Sequence, residues 1–434
     1  MPSTYILAHM NRETLTFGVA VFGLVWYLAM WSLGLLGCLS ARRRYRSRPV
    51  FSSSSSQNGY APGVSILRPL KGLDTNLYEN LESTFKQDYP NYEIIFSVAD
   101  DKDQALNVVN ALVARYPQVN VTVIIGEEVV GVNPKVNNLI RSFRKAAHDL
   151  LWVLDSGVMV DPGTLSRSVD IFTNTSSSSS KRIGLVHHVP FALIDEAKIG
   201  SRLEAAFLNT NHAKMYIAIN TVSIDSCVVG KSNLYRRSDI ERLNGSLIPI
   251  RAQVARRHEA QEYGLPAFGR FLAEDNMIAS ALWHELGLRH DLSSDVARNV
   301  VGNMTFSDYV WRRVRWIRVR KHMVLVATLL EPFTESVMLC LIGLLSVKYL
   351  LQMPSWIFVP LHFFLWLAVD FDVYASIGGP GLRLENITSF IIVWFARELL
   401  AFPIWLLAII GNEIVWRGRR YQVLLNGEAK VCSD

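Results

Sequence analysis

Three carboxylates and a basic, aromatic cluster follow one another along this chain of 434 residues. Asp100 ends the segment IIFSVAD, Asp155 ends LLWVLD, Asp275 ends FLAED, and the cluster Arg312–Trp316 reads RRVRW. This series offers what a reaction between a sugar nucleotide and a hydroxyl group requires. One acid can bind the nucleoside, one can lie beside the diphosphate, and one can accept a proton. Arginines pair well with phosphate oxygens, and a tryptophan can close the site.

Alternating strand and helix patterns position these acids. From Val64 onward, short β-branched and aromatic runs alternate with segments that carry apolar residues at helical spacing. Such alternation predicts an α/β fold with a mostly parallel sheet and crossover helices. Ligands of such sheets bind beyond the carboxyl ends of the strands. Asp100 and Asp155 both follow predicted strands, so the sequence favours a ligand site over ordinary surface acids at these positions.

Asp275 begins a predicted helix, NMIASALWHEL. As a structural residue it would be a helix N-cap, a position that aspartate fills well. As a functional residue it would be a general base that takes the proton from an attacking hydroxyl group. Glu274 beside it is a candidate for orienting this base or for lining the acceptor side of the site.

Arg312, Arg315 and Trp316 are candidate active-site residues with a strong structural alternative. Basic and aromatic residues beside membrane helices commonly anchor a protein at the membrane interface. Their position after Asp275 and before the apolar C-terminal segments favours the active site.

Lysine and histidine residues supply further candidates. Lys135, in the segment NPKVNN, is either a phosphate ligand or an ordinary surface lysine. His187 or His188, in VHHVP, is a candidate for the acceptor side, with a packed and hydrogen-bonded histidine as the alternative.

The N-terminal segment is predicted to anchor the chain in a membrane. Thr14 to Ala41 contains no charged residue, and its apolar core has the length of about 20 residues that spans a bilayer. The basic run that follows, up to Arg48, is expected in the cytosol, where Arg and Lys collect. This run accounts for much of the net charge of +6, so no nucleic-acid partner is predicted. The four cysteines lie far apart, which fits a reducing compartment.

Apolar segments return after Trp316. We predict one interfacial or kinked helix, interrupted at Glu331-Pro332, and two or three membrane helices. The basic start of the tail favours a cytosolic C-terminus, whereas one N-terminal and three C-terminal spans would place it in the lumen. Either one apolar stretch is re-entrant and does not cross the membrane, or the charge pattern predicts the wrong side of the membrane for one end of the chain.

The predicted divisions are a lumenal N-terminus at 1–13, a transmembrane anchor at 14–41, a basic and serine-rich linker at 42–63, a cytosolic catalytic domain at 64–320, interfacial and transmembrane helices at 321–414, and a basic tail at 415–434.

Seven segments in a fixed order resemble the ceramide glucosyltransferases of glycosyltransferase family 21. They are RPLKG, VAD, GVNPKVNNL, DSG, VHHVP, AED and RRVRW. The resemblance covers about Val64 to Trp316 and continues into the C-terminal helices, and the serine runs resemble fungal members. It implies a GT-A fold and transfer of glucose from UDP-glucose to the primary hydroxyl of ceramide, with inversion at the anomeric carbon. It also implies a multi-pass protein of the Golgi or endoplasmic reticulum membrane; no oligomeric state is predicted.

The resemblance implies roles for the residues that match the family's motifs: donor binding by Asp100 and Asp155, base catalysis by Asp275, and closure of the site by Arg312, Arg315 and Trp316. Donor binding by Lys135 and acceptor-side contacts by His187 and Glu274 are predicted from residue type and position alone. Asp155 is also the implied ligand of Mg²⁺ or Mn²⁺, hard cations that prefer oxygen ligands. Related transferases often carry Asp-x-Asp here, whereas this chain has Asp-Ser-Gly and lacks the second carboxylate.

Two other functions share parts of this pattern. A processive β-glycan synthase of family-2 type has the same order of carboxylates. The single N-terminal span, the Asp-Ser-Gly sequence and Arg312 in place of glutamine count against it. A non-catalytic membrane scaffold would be favoured by loss of one acid, and all three acids are present.

Overall fold

The computed structural model describes most of the chain. The described residues are 2–46, 61–173, 181–194, 198–253, 262–379, 387–416, 418–424 and 426–432. Both serine runs and most of the predicted linker at 42–63 lie outside these residues. The start of that linker is described and differs from the prediction, because Arg42–Arg46 forms a π-helical turn that continues the N-terminal helix.

Within the described residues, eight strands form one mixed sheet. Their bounds are Val64–Leu70 (β1), Tyr92–Val98 (β2), Asn120–Ile125 (β3), Leu150–Leu154 (β4), Val158–Met159 (β5), Ile183–Leu193 (β6), Ser232–Arg236 (β7) and Arg289–Val300 (β8). The strands lie in the order β3-β2-β1-β4-β7-β6-β8-β5. Four of the seven described pairings are parallel, which confirms the predicted α/β fold with a mostly parallel sheet.

Helices cover both faces of the parallel half of this sheet. The helices of the folded domain are Leu77–Phe85 (α2), Ala105–Arg115 (α3), Pro134–Lys145 (α4), Thr164–Thr173 (α5), Ile199–Phe207 (α6), Ala213–Val222 (α7), Arg237–Ile240 (α8), Ile250–Gln253 (α9), Glu274–His284 (α10) and Phe306–Lys321 (α11). Ile66 of β1 packs in the core shared with α2 and α3, and its neighbour Leu67 packs in the core shared with α4. Successive residues of a strand point to opposite faces, so a strand covered on both faces is apolar throughout.

One edge of the sheet brings the ends of three strands and the start of a fourth close together. The parallel strands β1, β2 and β4 all end at this edge. Strand β7 runs antiparallel to β4 and starts there, since Leu154 pairs with Ser232. The residues that follow β4 and the residues that precede β7 therefore lie side by side.

Apolar helices flank the folded domain. They are Pro2–Ala41 (α1), Leu325–Leu330 (α12), Ser336–Leu351 (α13), Ser355–Gly378 (α14) and Ile387–Ile410 (α15). In the described residues, three stretches are long and apolar enough to cross a membrane: Arg12–Arg46, Ser355–Gly378 and Ile387–Ile410. Helices α12 and α13 together make a fourth candidate that is bent by 69°. The bend falls at Glu335, directly after the 3-10 turn Glu331–Thr334 that contains the interruption predicted at Glu331-Pro332.

Helix α14 runs parallel to α1. The rings of Trp31 and Trp366 lie 4.9 Å apart, and further along both helices the Cys38 thiol donates to Asp372 at 2.9 Å. Arg42 and Arg46 also pair with Asp372, each at 2.5 Å. The basic end of α1 is therefore fixed to the C-terminal part of α14.

Helix α15 contacts the folded domain at both of its ends. Near its start, Arg202 of α6 donates to Ser389 at 3.3 Å. Near its end, Lys321 of α11 donates to the carbonyls of Ile409 and Gly411 at 3.0 and 2.7 Å. Its length and composition suit a membrane span, but its two ends are attached to the same domain.

The predicted basic tail is a folded element. Strands Glu413–Trp416 (β9), Arg419–Val423 (β10) and Ala429–Val431 (β11) form an antiparallel sheet in the order β11-β10-β9. Tyr421 is buried in a cluster with Ala273 and Val319 of the folded domain. The backbone of Ala429 also donates to the carbonyl of Arg270 at 3.0 Å.

Candidate active site

A polar cavity of about 370 Å³ lies beyond the carboxyl ends of β1 and β4. Its lining includes most of the candidates that the sequence predicts: Lys135, Asp155, Glu274, Asp275, Arg312, Arg315 and Trp316. These residues come from distant parts of the chain, and the sheet edge, two helix starts and one helix face bring them together.

Asp155 is held by two lysines. Its Oδ1 lies 2.8 Å from Nζ of Lys135, and its Oδ2 accepts from Nζ of Lys231 at 3.1 Å. Burial raises the pKa of Asp155, but the two ammonium groups outweigh this effect and lower it to about 2. The carboxylate is therefore ionised throughout the physiological pH range.

Lys135 is positioned by the start of helix α4. The side chain of Asn133 caps this helix by accepting from the backbone N–H groups of Lys135 and Val136. The Asn133 amide also donates to Glu274 at 2.8 Å, and Glu274 in turn lies 2.9 Å from Nζ of Lys135. The segment GVNPK thus brings a lysine between two carboxylates. Both carboxylates, together with Asp275, raise the pKa of Lys135 despite its burial, so it remains a cation.

A buried arginine supports the loop that carries Asp155. Arg68, in RPLKG, is fully buried and donates to the carbonyl of Val158 at 3.1 and 3.2 Å. Burial lowers the pKa of Arg68 to about 9, and the nearby Asp155 partly opposes this effect. The guanidinium remains charged at neutral pH and adds positive potential behind the cavity wall.

Asp275 lies in the first turn of α10 rather than at its N-cap, which is Ala273. Its carboxylate packs against Gly230, where a Cβ atom would collide with it. Burial, followed by the charge of Glu274, raises the pKa of Asp275 to about 7. A carboxyl group of this pKa can accept a proton near neutral pH, as a general base must.

One face of helix α11 forms a wall of the cavity. The helix begins with a capping box, in which Thr305 and Asp308 exchange hydrogen bonds. Arg312, Arg315 and Trp316 have the i, i+3, i+4 spacing that places side chains on one helical face. Arg312 donates to the buried Glu204 at 2.9 Å, which fixes its guanidinium at the cavity.

A second, apolar cavity of about 130 Å³ adjoins the first. It shares Lys231, Asp275, Arg312 and Trp316 with the polar cavity. Its remaining lining combines hydrophobic residues, among them Pro190, Leu208, Val228, Ala273, Val319 and Met323, with the polar residues Glu204, His212, Asn276, Arg313 and Arg320. Asp275 therefore lies where a polar compartment meets an apolar one.

Comparison with known proteins identifies the family. Glycosyl transferase family 21 matches residues 24–429. The chain is 33% identical over 462 residues to a ceramide glucosyltransferase of Komagataella phaffii, covering 93% of this chain and 90% of that protein. It is 31% identical to a ceramide glucosyltransferase of Candida albicans, covering 93% and 96%. This chain belongs to glycosyl transferase family 21. The resemblance predicts a GT-A fold for this family-21 chain, and the mostly parallel sheet agrees with that prediction.

Solved structures are more distant from this family-21 chain. A mannosyltransferase of Pyrobaculum calidifontis in complex with GDP-Man and Mn²⁺ aligns with a TM-score of 0.46 and 15% identity, covering 88% of this chain and 99% of that one. Glucosyl-3-phosphoglycerate synthase of Mycobacterium tuberculosis, in complex with Mn²⁺, UDP and phosphoglyceric acid, aligns with a TM-score of 0.34 and 16% identity, covering 65% and 83%.

Two predicted residues of the family-21 site lie away from its centre. Asp100 is exposed at the sheet edge, where it accepts from the backbone of Lys102 at 2.8 Å; its neighbour Ala99 lines the cavity. His187 is fully buried behind the wall and contacts the hydroxyl of Tyr216 at 2.5 Å. The structure therefore does not bring His187 to either cavity.

Glu274 contacts the residues that surround Asp155. The sequence predicts that Glu274 lines the acceptor side or orients Asp275. Its carboxylate contacts Lys135 and Asn133, on the side of Asp155. It lies in the polar cavity and is not part of the apolar one.

Sequence reasoning missed two residues of this family-21 site. Lys231 completes the charge around Asp155, and the antiparallel pairing of β4 with β7 brings it there. Trp416 lines the polar cavity from the C-terminal sheet, more than 100 positions after Asp275 in the sequence. The strand pattern around Ser232 could have indicated Lys231, whereas nothing local to Trp416 distinguishes it from a membrane-anchoring tryptophan.

The residues around Asp155 fit a divalent cation poorly. Both of its oxygens are already engaged by ammonium groups, and Gly157 occupies the position of the second carboxylate in Asp-x-Asp. Among the described residues, no group of three or more His, Cys, Asp or Glu side chains is arranged to hold a metal ion. A cation at Asp155 would have to displace both lysines, so no catalytic step is assigned to Mg²⁺ or Mn²⁺.

Proposed function

We propose that this chain transfers glucose from UDP-glucose to the primary hydroxyl group of ceramide and forms glucosylceramide. The observation that carries this proposal is the position of Asp275 at the junction of a cationic cavity and an apolar one. The family and its ceramide glucosyltransferase relatives support the same reaction. A sugar nucleotide and a lipid would each find a suitable compartment, with the base between them.

The polar cavity would bind the donor. Lys135, Lys231, Arg312 and Arg315 all face this space, and phosphate oxygens bind well to such cations. Each ammonium group has three N–H donors, so both lysines can donate to the diphosphate while they keep their contacts with Asp155. Fixed positive charge of this kind stabilises the UDP anion as it leaves. Asp100 would bind the nucleoside at the outer edge.

The apolar cavity would receive the acceptor. It lies against α11, and α11 is followed directly by the short apolar helix α12, whose Leu325 and Val326 are exposed. An exposed apolar helix beside an apolar cavity suits a lipid that enters from the bilayer surface. Trp316, which lines both cavities, would separate the sugar from the lipid chains.

The reaction would be a single displacement. The primary hydroxyl oxygen of ceramide attacks the anomeric carbon and forms the new C–O bond, while the bond from this carbon to UDP breaks. UDP leaves with the electron pair, and the hydroxyl proton passes to the carboxylate of Asp275. Attack opposite to the leaving group inverts the configuration, so an α-linked donor gives a β-linked product.

The catalytic domain would lie on the cytosolic face of the Golgi or endoplasmic reticulum membrane. The basic turn Arg42–Arg46 lies at the domain end of α1, as expected for a cytosolic flank. Both ends of α15 contact the domain, so we infer that α15 is re-entrant or interfacial and that α1, α12–α13 and α14 cross the membrane. This arrangement gives a lumenal N-terminus and a cytosolic tail.

Labelling would test this orientation. Cys432, in the tail, and Cys227, in the folded domain, are partly exposed, whereas Cys38 and Cys340 are buried. In sealed microsomes, a membrane-impermeant maleimide added outside should label Cys432 without detergent, and a Cys432→Ser variant is the control. The sequons at Asn120, Asn244 and Asn174, the last of which lies outside the described residues, should carry no glycan. Labelling of Cys432 only after permeabilisation, or a glycan at any of these asparagines, would contradict the proposed orientation.

A membrane assay with labelled UDP-glucose and ceramide tests the proposed reaction. We expect a labelled lipid that β-glucosidase converts back to ceramide, and little product when UDP-galactose replaces UDP-glucose. A labelled polymer would instead identify a processive glycan synthase. Absence of any transfer by correctly folded protein would contradict an enzymatic function.

A further inference from the structure

The C-terminal three-stranded sheet forms part of the wall of the polar cavity. Trp416 is the last residue of β9 and lines this cavity together with Leu272, Arg315 and Trp316. It does not line the apolar cavity, in contrast to Trp316, which lines both. The contribution of Trp416 is therefore confined to the compartment that would bind the donor.

The sheet is firmly attached to the segment that precedes Glu274 and Asp275. Phe271 forms an isolated antiparallel bridge with Glu428, and Arg270 pairs with the Glu428 carboxylate at 3.1 Å. Arg270 and Phe271 lie only a few residues before Asp275. The sheet is therefore fixed relative to the proposed base by backbone and side-chain contacts.

A second attachment joins the sheet to helix α11. Arg318 of this helix donates to the carbonyl of Glu413 at 2.6 Å. Arg318 lies two and three residues beyond Trp316 and Arg315, which line the cavity. Strand β9 thus bridges the two elements that supply the base and the basic, aromatic cluster.

The alternation of β9 directs Trp416 inward. Ile414 and Trp416 lie on the same face of the strand, and Ile414 is buried in the cluster that holds the sheet on the domain. Val415 lies on the opposite face and is 61% exposed. The neighbouring residues of one short strand therefore provide a cavity-lining position and a matched control.

We propose that Trp416 is a donor-binding residue whose indole ring packs against the bound sugar nucleotide. This inference rests on the proposed function for the identity of the donor. An indole ring offers a large apolar face that stacks on a nucleobase or on the apolar face of a pyranose. The cations of the cavity bind the diphosphate, and Trp416 supplies a non-ionic contact to the remainder of the molecule.

Three variants of the full-length protein, purified in detergent, test this inference: Trp416→Ala, Trp416→Phe and Val415→Ala. UDP-glucose and UDP binding are measured by calorimetry, and KM and kcat are measured with a fluorescent ceramide. Removing a stacking ring lowers affinity by about tenfold or more, so Trp416→Ala should raise the Kd and KM for UDP-glucose by this factor. Trp416→Phe should restore most of the affinity, and Val415→Ala should match the parent protein.

The results separate this inference from the proposed function. A Trp416→Ala protein that melts like the parent and keeps a donor Kd within twofold would overturn the role of Trp416. A change in the KM for ceramide alone would also overturn it. If Trp416→Ala does not fold, Trp416→Leu replaces it, because leucine keeps an apolar side chain without a ring; a stacking role requires weaker donor binding in Trp416→Leu than in Trp416→Phe and Val415→Ala. If the parent protein binds UDP-glucose through Trp416 but forms no glucosylceramide, the proposed function fails and the inference stands.

Discussion

The polar cavity and the apolar helices both contain lysine–aspartate pairs, but the two environments differ. In the cavity, Lys135 and Asp155 are 19% and 24% exposed, and Lys231 shares the same carboxylate. Between the helices, Lys214 and Asp370 lie 2.6 Å apart and are fully buried. A ligand can reach the first pair and accept hydrogen bonds from its lysines, so we call it the open pair, whereas no ligand can reach the second, the closed pair.

The closed pair, Lys214 and Asp370, also has further interactions with the aromatic residues around it. Lys214 lies over the ring of Trp366 at 3.8 Å, and Trp394 donates to Asp370 at 2.9 Å. A similar arrangement surrounds Arg397, which pairs with Glu335 and Glu398. Ionisable groups in an apolar environment are costly unless they are paired. We therefore infer that the helix clusters stabilise the packing of α7, α14 and α15, and we propose that the cavity residues bind substrate.

The largest expected effect on activity comes from the proposed base. Asp275→Asn keeps the size of the side chain but removes the proton acceptor, so kcat should fall by about 10²- to 10⁴-fold. UDP-glucose binding should persist, because the cations of the cavity remain. The control is Asp225→Asn, at an exposed carboxylate that pairs with His284. A variant Asp275→Asn with near-normal turnover would exclude Asp275 as the base.

The second prediction concerns a substitution that removes the cation of the closed pair, Lys214 and Asp370. Lys214→Met leaves the Asp370 carboxylate buried without its cation, which should cost about 3–5 kcal/mol of stability. Thermal unfolding of the detergent-solubilised protein would measure this loss. The double variant Lys214→Met/Asp370→Leu should recover much of it, because no uncompensated charge remains. A single variant as stable as the parent would remove the distinction between the two clusters.

The third prediction concerns the open pair. Lys135→Met and Lys231→Met each remove one charge-assisted contact to the diphosphate, so donor affinity should fall by about 10- to 100-fold with little loss of stability. Lys86→Met, at an exposed lysine that pairs with Glu82, is the matched control. Because two lysines occupy Asp155, donor binding should also withstand removal of divalent cations with EDTA. Complete loss of donor binding in EDTA would show that a metal, rather than the lysines, neutralises the diphosphate.

The predictions from sequence are most accurate for strands and helices that are determined by residues close together in the chain. The strands that precede Asp100 and Asp155 and the helix that follows Glu274 are all visible in the order of apolar residues. Lys231 and Trp416 reach the cavity through strand pairing and sheet docking, which depend on distant segments. Hydropathy likewise identifies α15 as apolar but cannot show that both of its ends contact the folded domain. Burial of His187 behind the cavity wall is a tertiary property of the same kind.

The smallest expected effect is a shift in the pH dependence of kcat. This shift tests how the charged residues of the polar cavity act on Asp275. Asp275 accepts a proton only when it is ionised, so kcat should rise with pH up to its pKa of about 7 and then level off. The negative charge of Glu274 raises this pKa and the positive charge of Lys135 lowers it. At saturating donor, Glu274→Gln should therefore move the acid limb to lower pH, and Lys135→Met should move it to higher pH. Shifts in the same direction, or none, would show that Asp275 does not set the pH dependence. The fully buried helix cluster provides the contrast, since Lys214→Met should change stability without moving this limb.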